Sequence, residues 1–101
     1  MKINNTVFDE TSFKKREYES NYYKNCVFNN TIFQNCSFFN CTFDNCVFHD
    51  VDFFDCFGLR NNFYTCDFRG KIWYIDSNFK ATLFYDCIGE NNMYYENSKV
   101  V

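Results

Sequence analysis

The sequence predicts an all-β fold, a four-sided coil of very short parallel strands stacked about five turns high. Three observations carry this. An aromatic ring recurs every five residues, a small or β-branched residue stands two places ahead of most rings, and Asn or Asp closes many of the blocks. A helix repeats at 3.6 residues and a strand at 2, so a stripe of period five stays on one side of neither. Five residues with inward first and third places suit a short strand followed by a sharp corner. Four such sides close a square coil of twenty residues, and the coils stack about 4.8 Å apart like paired parallel strands.

Cut into fives from Thr6, the chain reads TVFDE, TSFKK, REYES, NYYKN, CVFNN, TIFQN, CSFFN, CTFDN, CVFHD, VDFFD, CFGLR, NNFYT, CDFRG. The third place is Phe or Tyr throughout, except for Gly58. Arg16, Asn21 and Asn61 are the exceptions in the first place. After Gly70 the beat fails unless one extra residue is allowed within Lys71–Asp76, most simply a β-bulge. It then resumes as SNFKA, TLFYD, CIGEN, NMYYE. The expected organisation is one domain over 1–101, with regular repeats at about 6–70 and 77–96 and a one-residue bulge near 71–76.

All seven cysteines, among them Cys36, Cys41 and Cys46, then occupy the first place. Cysteine there is a small buried hydrophobe that leaves room for the ring. Metal binding fits poorly, because the closest cysteines have four residues between them and His49 is the only histidine. Each buried ring contributes roughly 1.5–3 kcal/mol, which lets a chain of 101 residues build a core. Asn and Asp suit the corners because they tolerate left-handed backbone.

At this point the sequence resembles the pentapeptide-repeat proteins, through blocks such as CVFNN, CTFDN and CDFRG. The family's Asp or Asn in second place is largely absent, appearing only as Asp52, Asn62, Asp67 and Asn78. The resemblance implies a right-handed quadrilateral parallel β-helix. It also implies a role known among relatives, in which an acidic rod mimics DNA and modulates DNA gyrase or another type II topoisomerase. The long projecting loop of some quinolone-resistance relatives is missing.

Stacking blocks four to a turn places residues twenty apart above one another. The fourth-place columns read Gln34, Phe54, Tyr74; Glu19, Phe39, Leu59; and Lys24, Asp44, Tyr64, Tyr85. With Phe57 and Tyr95 they predict an aromatic oligomer or partner surface made of Phe39, Phe54, Phe57, Leu59, Tyr64, Tyr74, Tyr85 and Tyr95. The tail from Glu90 contains no capping helix, so a homodimer through the carboxyl-terminal coils is expected. Residues 26–55 hold Asp44, Asp50, Asp52 and Asp55 and no Lys or Arg, a candidate acidic recognition belt.

Net charge of -3 argues against direct nucleic-acid binding. No apolar run reaches membrane-spanning length and MKINNTVFDE lacks a signal-peptide core, so a cytoplasmic location is expected. No nucleophile–base pair or phosphate-cradling loop is present, which predicts a protein without catalytic residues or cofactor. Two function classes follow: a DNA-mimicking topoisomerase binder, or a structural homo-oligomer that holds another protein through its aromatic surface.

Overall fold

The computed structural model describes residues 1–101 as a right-handed β-solenoid of about five stacked coils. Its four sides are parallel ladders. The first side stacks Lys2–Asn4, Tyr22–Lys24, Thr42–Asp44, Asn62–Tyr64 and Leu83–Tyr85. The second stacks Val7–Asp9 and Val27–Asn29 under the opening halves of Val47–Phe54 and Asp67–Ile75. The third stacks Ser12–Lys14 and Ile32–Gln34 under the closing halves of those strands, with Met93–Glu96 on top. Glu17–Glu19, Ser37–Phe39, Phe57–Leu59, Asn78–Lys80 and Lys99–Val100 form the fourth.

Each block makes one strand and one corner. The fifth residue is left-handed in block after block: seventeen non-glycine residues from Asn5 to Asn97 have φ between 48° and 57°. That conformation costs an L-residue about 1–2 kcal/mol. Asn and Asp reduce the cost at many corners, but Glu10, Lys15, Arg60 and Ala81 accept it where the ladders on both sides fix the turn.

The third places stack as aromatic columns. On the third side Phe13, Phe33, Phe53 and Tyr74 follow one another at 4.9–5.2 Å with planes within 13°. Neighbouring columns meet edge to face, as Phe43 and Phe48 do at 5.5 Å and 65°. First-place side chains fill the space between columns, and Cys26, Cys36, Cys41, Cys46, Cys56 and Cys66 are all buried.

Gly58 leaves no dent. A Cβ there would overlap the Phe79 ring and crowd the Asn61 amide. Phe79 leans through the vacated space until its centroid lies 6.1 Å from that of Phe38, two coils below. Asn61 completes the plug: its Nδ2 donates to the Phe38 carbonyl at 3.0 Å, and Cys41 N–H donates to its Oδ1 at 2.9 Å. An amide in a first place is thus paired through both its nitrogen and its oxygen, as burial demands.

The irregular corner differs in detail from the sequence expectation. His49 pairs with Arg69 and Val51 with Ile72, so the extra residue is Lys71, at the very start of the expected window. Ile72 takes an inward first place and Tyr74 an inward third place; Trp73 and Ile75 face outward in the places expected for Ile72 and Tyr74. A second extra residue lies above the first. Asp67 bridges to Ile88 and Ile72 pairs with Met93, so Cys87 to Asn92 also spans six residues and makes a short 3-10 turn at Glu90–Asn92. Gly89 opens that turn at φ 90°, where a Cβ would strike the Phe68 carbonyl. Consequently Tyr94 faces outward and Tyr95, not Tyr94, continues the inward column above Tyr74.

Candidate interaction surfaces

The four acidic candidates do not form one belt. Asp44 lies on the first side, where the Tyr22 hydroxyl donates to its Oδ2 at 2.6 Å. That hydrogen bond is the main reason the Tyr22 phenol titrates higher than usual. Asp50 occupies the corner between the second and third sides. Its Oδ1 accepts the Lys71 N–H at 3.0 Å, and its Oδ2 lies 3.5 Å from His49 Nε2. Asp52 lies beside Ile32 and Trp73 on the third side. Burial and the neighbouring Asp50 push its carboxyl above the usual range. Asp55 is exposed at the next corner. Only Asp50 and Asp52 share a recess, an open cleft of about 380 Å3 completed by Asn30, Ile32, Lys71 and Trp73.

The aromatic candidates also separate by side. Phe39, Phe57 and Leu59 form one half-buried strip on the fourth side, with Phe39 and Phe57 centroids 5.8 Å apart. Phe54 lies on the third side between Gln34 and Ile75. Tyr64 and Tyr85 meet at 6.3 Å on the first. Tyr74 is a correction: it is 2% exposed, stacked on Phe53 at 4.9 Å and Tyr95 at 5.5 Å, and presents nothing to a partner. Tyr95 is also a correction in kind, since its exposure comes from lying in the terminal coil of an inward column.

Sequence reasoning missed Trp73, Ile75 and Tyr94 as surface groups. Trp73 and Tyr94 pair at 5.1 Å, with the Lys71 ammonium 5.9 Å from the Tyr94 ring. The signal was available in IWYID, because a β-branched Ile72 fits the first place better than Lys71 does.

His49 belongs to a polar column. Its Nδ1 lies 2.7 Å from Asn29 Oδ1, and Asn29 Nδ2 donates to Asp9 Oδ1 at 2.8 Å. The thiols are also tied down. Cys66 Sγ donates to the Phe43 carbonyl at 3.2 Å and Cys56 Sγ to that of Phe33 at 3.2 Å, each in the coil below. Burial pushes the Cys56 thiol up to about 12 and raises Cys26, Cys41 and Cys87, which leaves little nucleophilic thiolate on these four at neutral pH.

These coils, with outward side chains sorted by side and recesses that are shallow, define the pentapeptide-repeat type of solenoid. Among solved structures the fold is shared with a trypsin-treated form of QnrB1, a plasmid-mediated fluoroquinolone resistance protein. That match covers 97% of this chain at 17% identity and a TM-score of 0.59. The chain spans about half of that protein, 52% of its length. Full-length QnrB1 aligns with 99% of this chain and 58% of its own, at 17% identity and a TM-score of 0.37. No family model and no curated protein matches the sequence. No helix is long and apolar enough to cross a membrane.

Proposed function

We propose that the chain is a non-enzymatic, cytoplasmic interaction solenoid whose partner is a DNA-binding enzyme of the type II topoisomerase kind. The observation that carries this reading is the coil geometry shared with a fluoroquinolone resistance protein. The acidic corner formed by Asp50 and Asp52 is the part of the candidate belt suited to a DNA-binding surface. Mimicry works by presenting fixed negative charge where phosphates would lie, and a rigid ladder fixes it well. Asp44 and Asp55, on other parts of the rod, contribute to the field and not to that contact.

The test is DNA gyrase supercoiling with purified protein added. The expected result is a concentration-dependent change in the supercoiled product that weakens at higher salt and is reduced in Asp52→Lys. No effect at saturating protein sinks the topoisomerase reading. A second reading, a scaffolding homo-oligomer, is favoured by the strip of Phe39, Phe57 and Leu59, because contiguous apolar side chains on one flat side are a contact surface in the making. It gains ground if Phe57→Lys abolishes self-association while supercoiling stays untouched throughout.

A further inference from the structure

The third side carries a patch that is apolar except at its centre. Its outward second places stack Ser12, Ile32, Asp52, Trp73 and Tyr94, and its outward fourth places stack Lys14, Gln34, Phe54, Ile75 and Glu96. Ile32, Phe54, Trp73 and Ile75 thus surround one carboxylate, that of Asp52. Two recesses flank it: the cleft shared with Asp50, and a smaller one of about 240 Å3 that reaches Phe54 and Ile75, with Ile32 and Asp52 lining both. The patch lies on the middle coils, between paired strands above and below.

Asp52 stands alone there, whereas its charged neighbours are engaged. Asp50 accepts the Lys71 N–H through Oδ1 and turns Oδ2 toward His49. The Lys71 ammonium, the one cation on the rim, lies 5.9 Å from the centre of the Tyr94 ring. Neither it nor any other side chain forms an ion pair with Asp52. Burial and Asp50 hold the Asp52 carboxyl above the usual range, as expected of a half-buried carboxylate that no cation answers. The Trp73 indole follows Asp52 on the ladder, with Tyr94 packed on its far side at 5.1 Å, so its near side borders the cleft.

We propose that this recess receives the guanidinium of an arginine on a partner protein, laid along the Trp73 indole with its N–H groups directed at the Asp52 carboxylate. Arginine suits the site better than lysine. Its planar head stacks on an aromatic face, its forked donors match both carboxylate oxygens, and it sheds water more readily in a half-apolar setting. Ile32 and Phe54 then flank its methylene stem. An aromatic anchor and an arginine meeting inside an apolar rim are what concentrates binding energy at protein interfaces. The two carboxylates exclude a phosphate group from the same place. For the class of partner this rests on the reading above, since a surface that grips DNA presents arginines to the phosphates.

Trp73 is the only tryptophan, so its emission reports on the recess without a label. The test is fluorescence titration of the full chain with a capped Gly-Arg-Gly peptide, compared with peptides carrying lysine or citrulline in place of arginine. The expected result is a saturable change with arginine, binding at least about fivefold weaker with lysine, which lacks the fork, and no change with uncharged citrulline. Asp52→Asn keeps the shape and abolishes the response. Asp86→Asn removes an equal charge at an exposed corner after the first side and preserves it. No saturable change with arginine overturns the proposal. Equal binding of arginine and lysine, or equal loss in the two variants, overturns it too, because either result means diffuse attraction to a chain of net charge -3. Gyrase supercoiling with the same variants separates this inference from the reading it rests on. Arginine selectivity without any effect on supercoiling supports the recess and removes the topoisomerase as its partner. An effect on supercoiling that survives Asp52→Asn, with no arginine selectivity, overturns the recess and leaves the topoisomerase reading standing.

Discussion

Phe43→Ala removes a ring that is 4% exposed, sandwiched between Tyr23 and Phe63 at 4.8 Å on either side with planes within 7°, and met edge-on by Phe48 at 5.5 Å. Truncating such a ring costs about 3–5 kcal/mol, the larger values arising where the cavity cannot collapse. Collapse is hindered here, because ladders above and below hold the coil spacing. Cys41, two residues away, is as deeply buried, but Cys41→Ala deletes one sulfur and its weak bonds to the Tyr18 and Phe39 carbonyls at 3.4 and 3.6 Å. Its loss should cost about 1 kcal/mol. A domain of this size has roughly 5–15 kcal/mol in all, and each kcal/mol moves the melting temperature by about 4–8 °C. Phe43→Ala should therefore melt at least ~12 °C below wild type, and Cys41→Ala within about 8 °C of it. Urea titration followed by circular dichroism gives the same comparison at constant temperature. Equal losses for the two variants would refute the division of labour between first and third places.

Three further outcomes follow from the same geometry. Gly89→Ala should detach the carboxyl-terminal coil, because its Cβ meets the rigid Phe68 carbonyl; Gly70→Ala should be milder, since there the obstacle is the movable Asp50 carboxylate, and amide hydrogen exchange of Met93–Glu96 separates the two. Asn61→Leu strips partners from the Cys41 amide and the Phe38 carbonyl and should cost about 2–3 kcal/mol by urea titration, despite its added hydrophobicity. Asp52 binds its proton more readily in the folded state than in the unfolded chain, so its ionisation opposes folding as pH rises through that raised value. Asp52→Asn should therefore gain up to about 0.5 kcal/mol at pH 7, a difference that vanishes once Asp52 is protonated in acid.

Much of the coil was legible because one side-chain requirement recurs at one spacing. Phe28, Phe48 and Phe68 are interchangeable statements of the same inward place, so an isolated exception such as Gly58 did not hide the pattern. Where the chain inserts residues, the requirement loosens. In KIWYID both Trp73 and Tyr74 satisfy a place that asks for a ring, and only the identity of the first-place partner, Ile72 against Lys71, separates the registers. Choosing wrongly turned Tyr74 outward. In CIGENN the inserted residue is absorbed by a turn that depends on Gly89, and a turn leaves no periodic trace. The surface was less readable still. The sequence supplies which residues point outward, but the grouping of Asp50 with Asp52 and not with Asp44 depends on where corners fall.

The buried thiols have a use that nothing in their packing requires. The six buried ones run from Cys26 in the second coil to Cys66 in the fourth, each reachable by an alkylating reagent only when its own coil opens, whereas Cys87 in the last coil is half-buried. Stacked repeats exchange stability mainly with their neighbours and open from the ends inward. The rod thus carries its own set of graduated probes. Labelling followed by mass spectrometry should modify Cys87 first and Cys46 and Cys56 last, which would read out, coil by coil and without any engineered tag, how far an unzipping end travels before the whole molecule gives way.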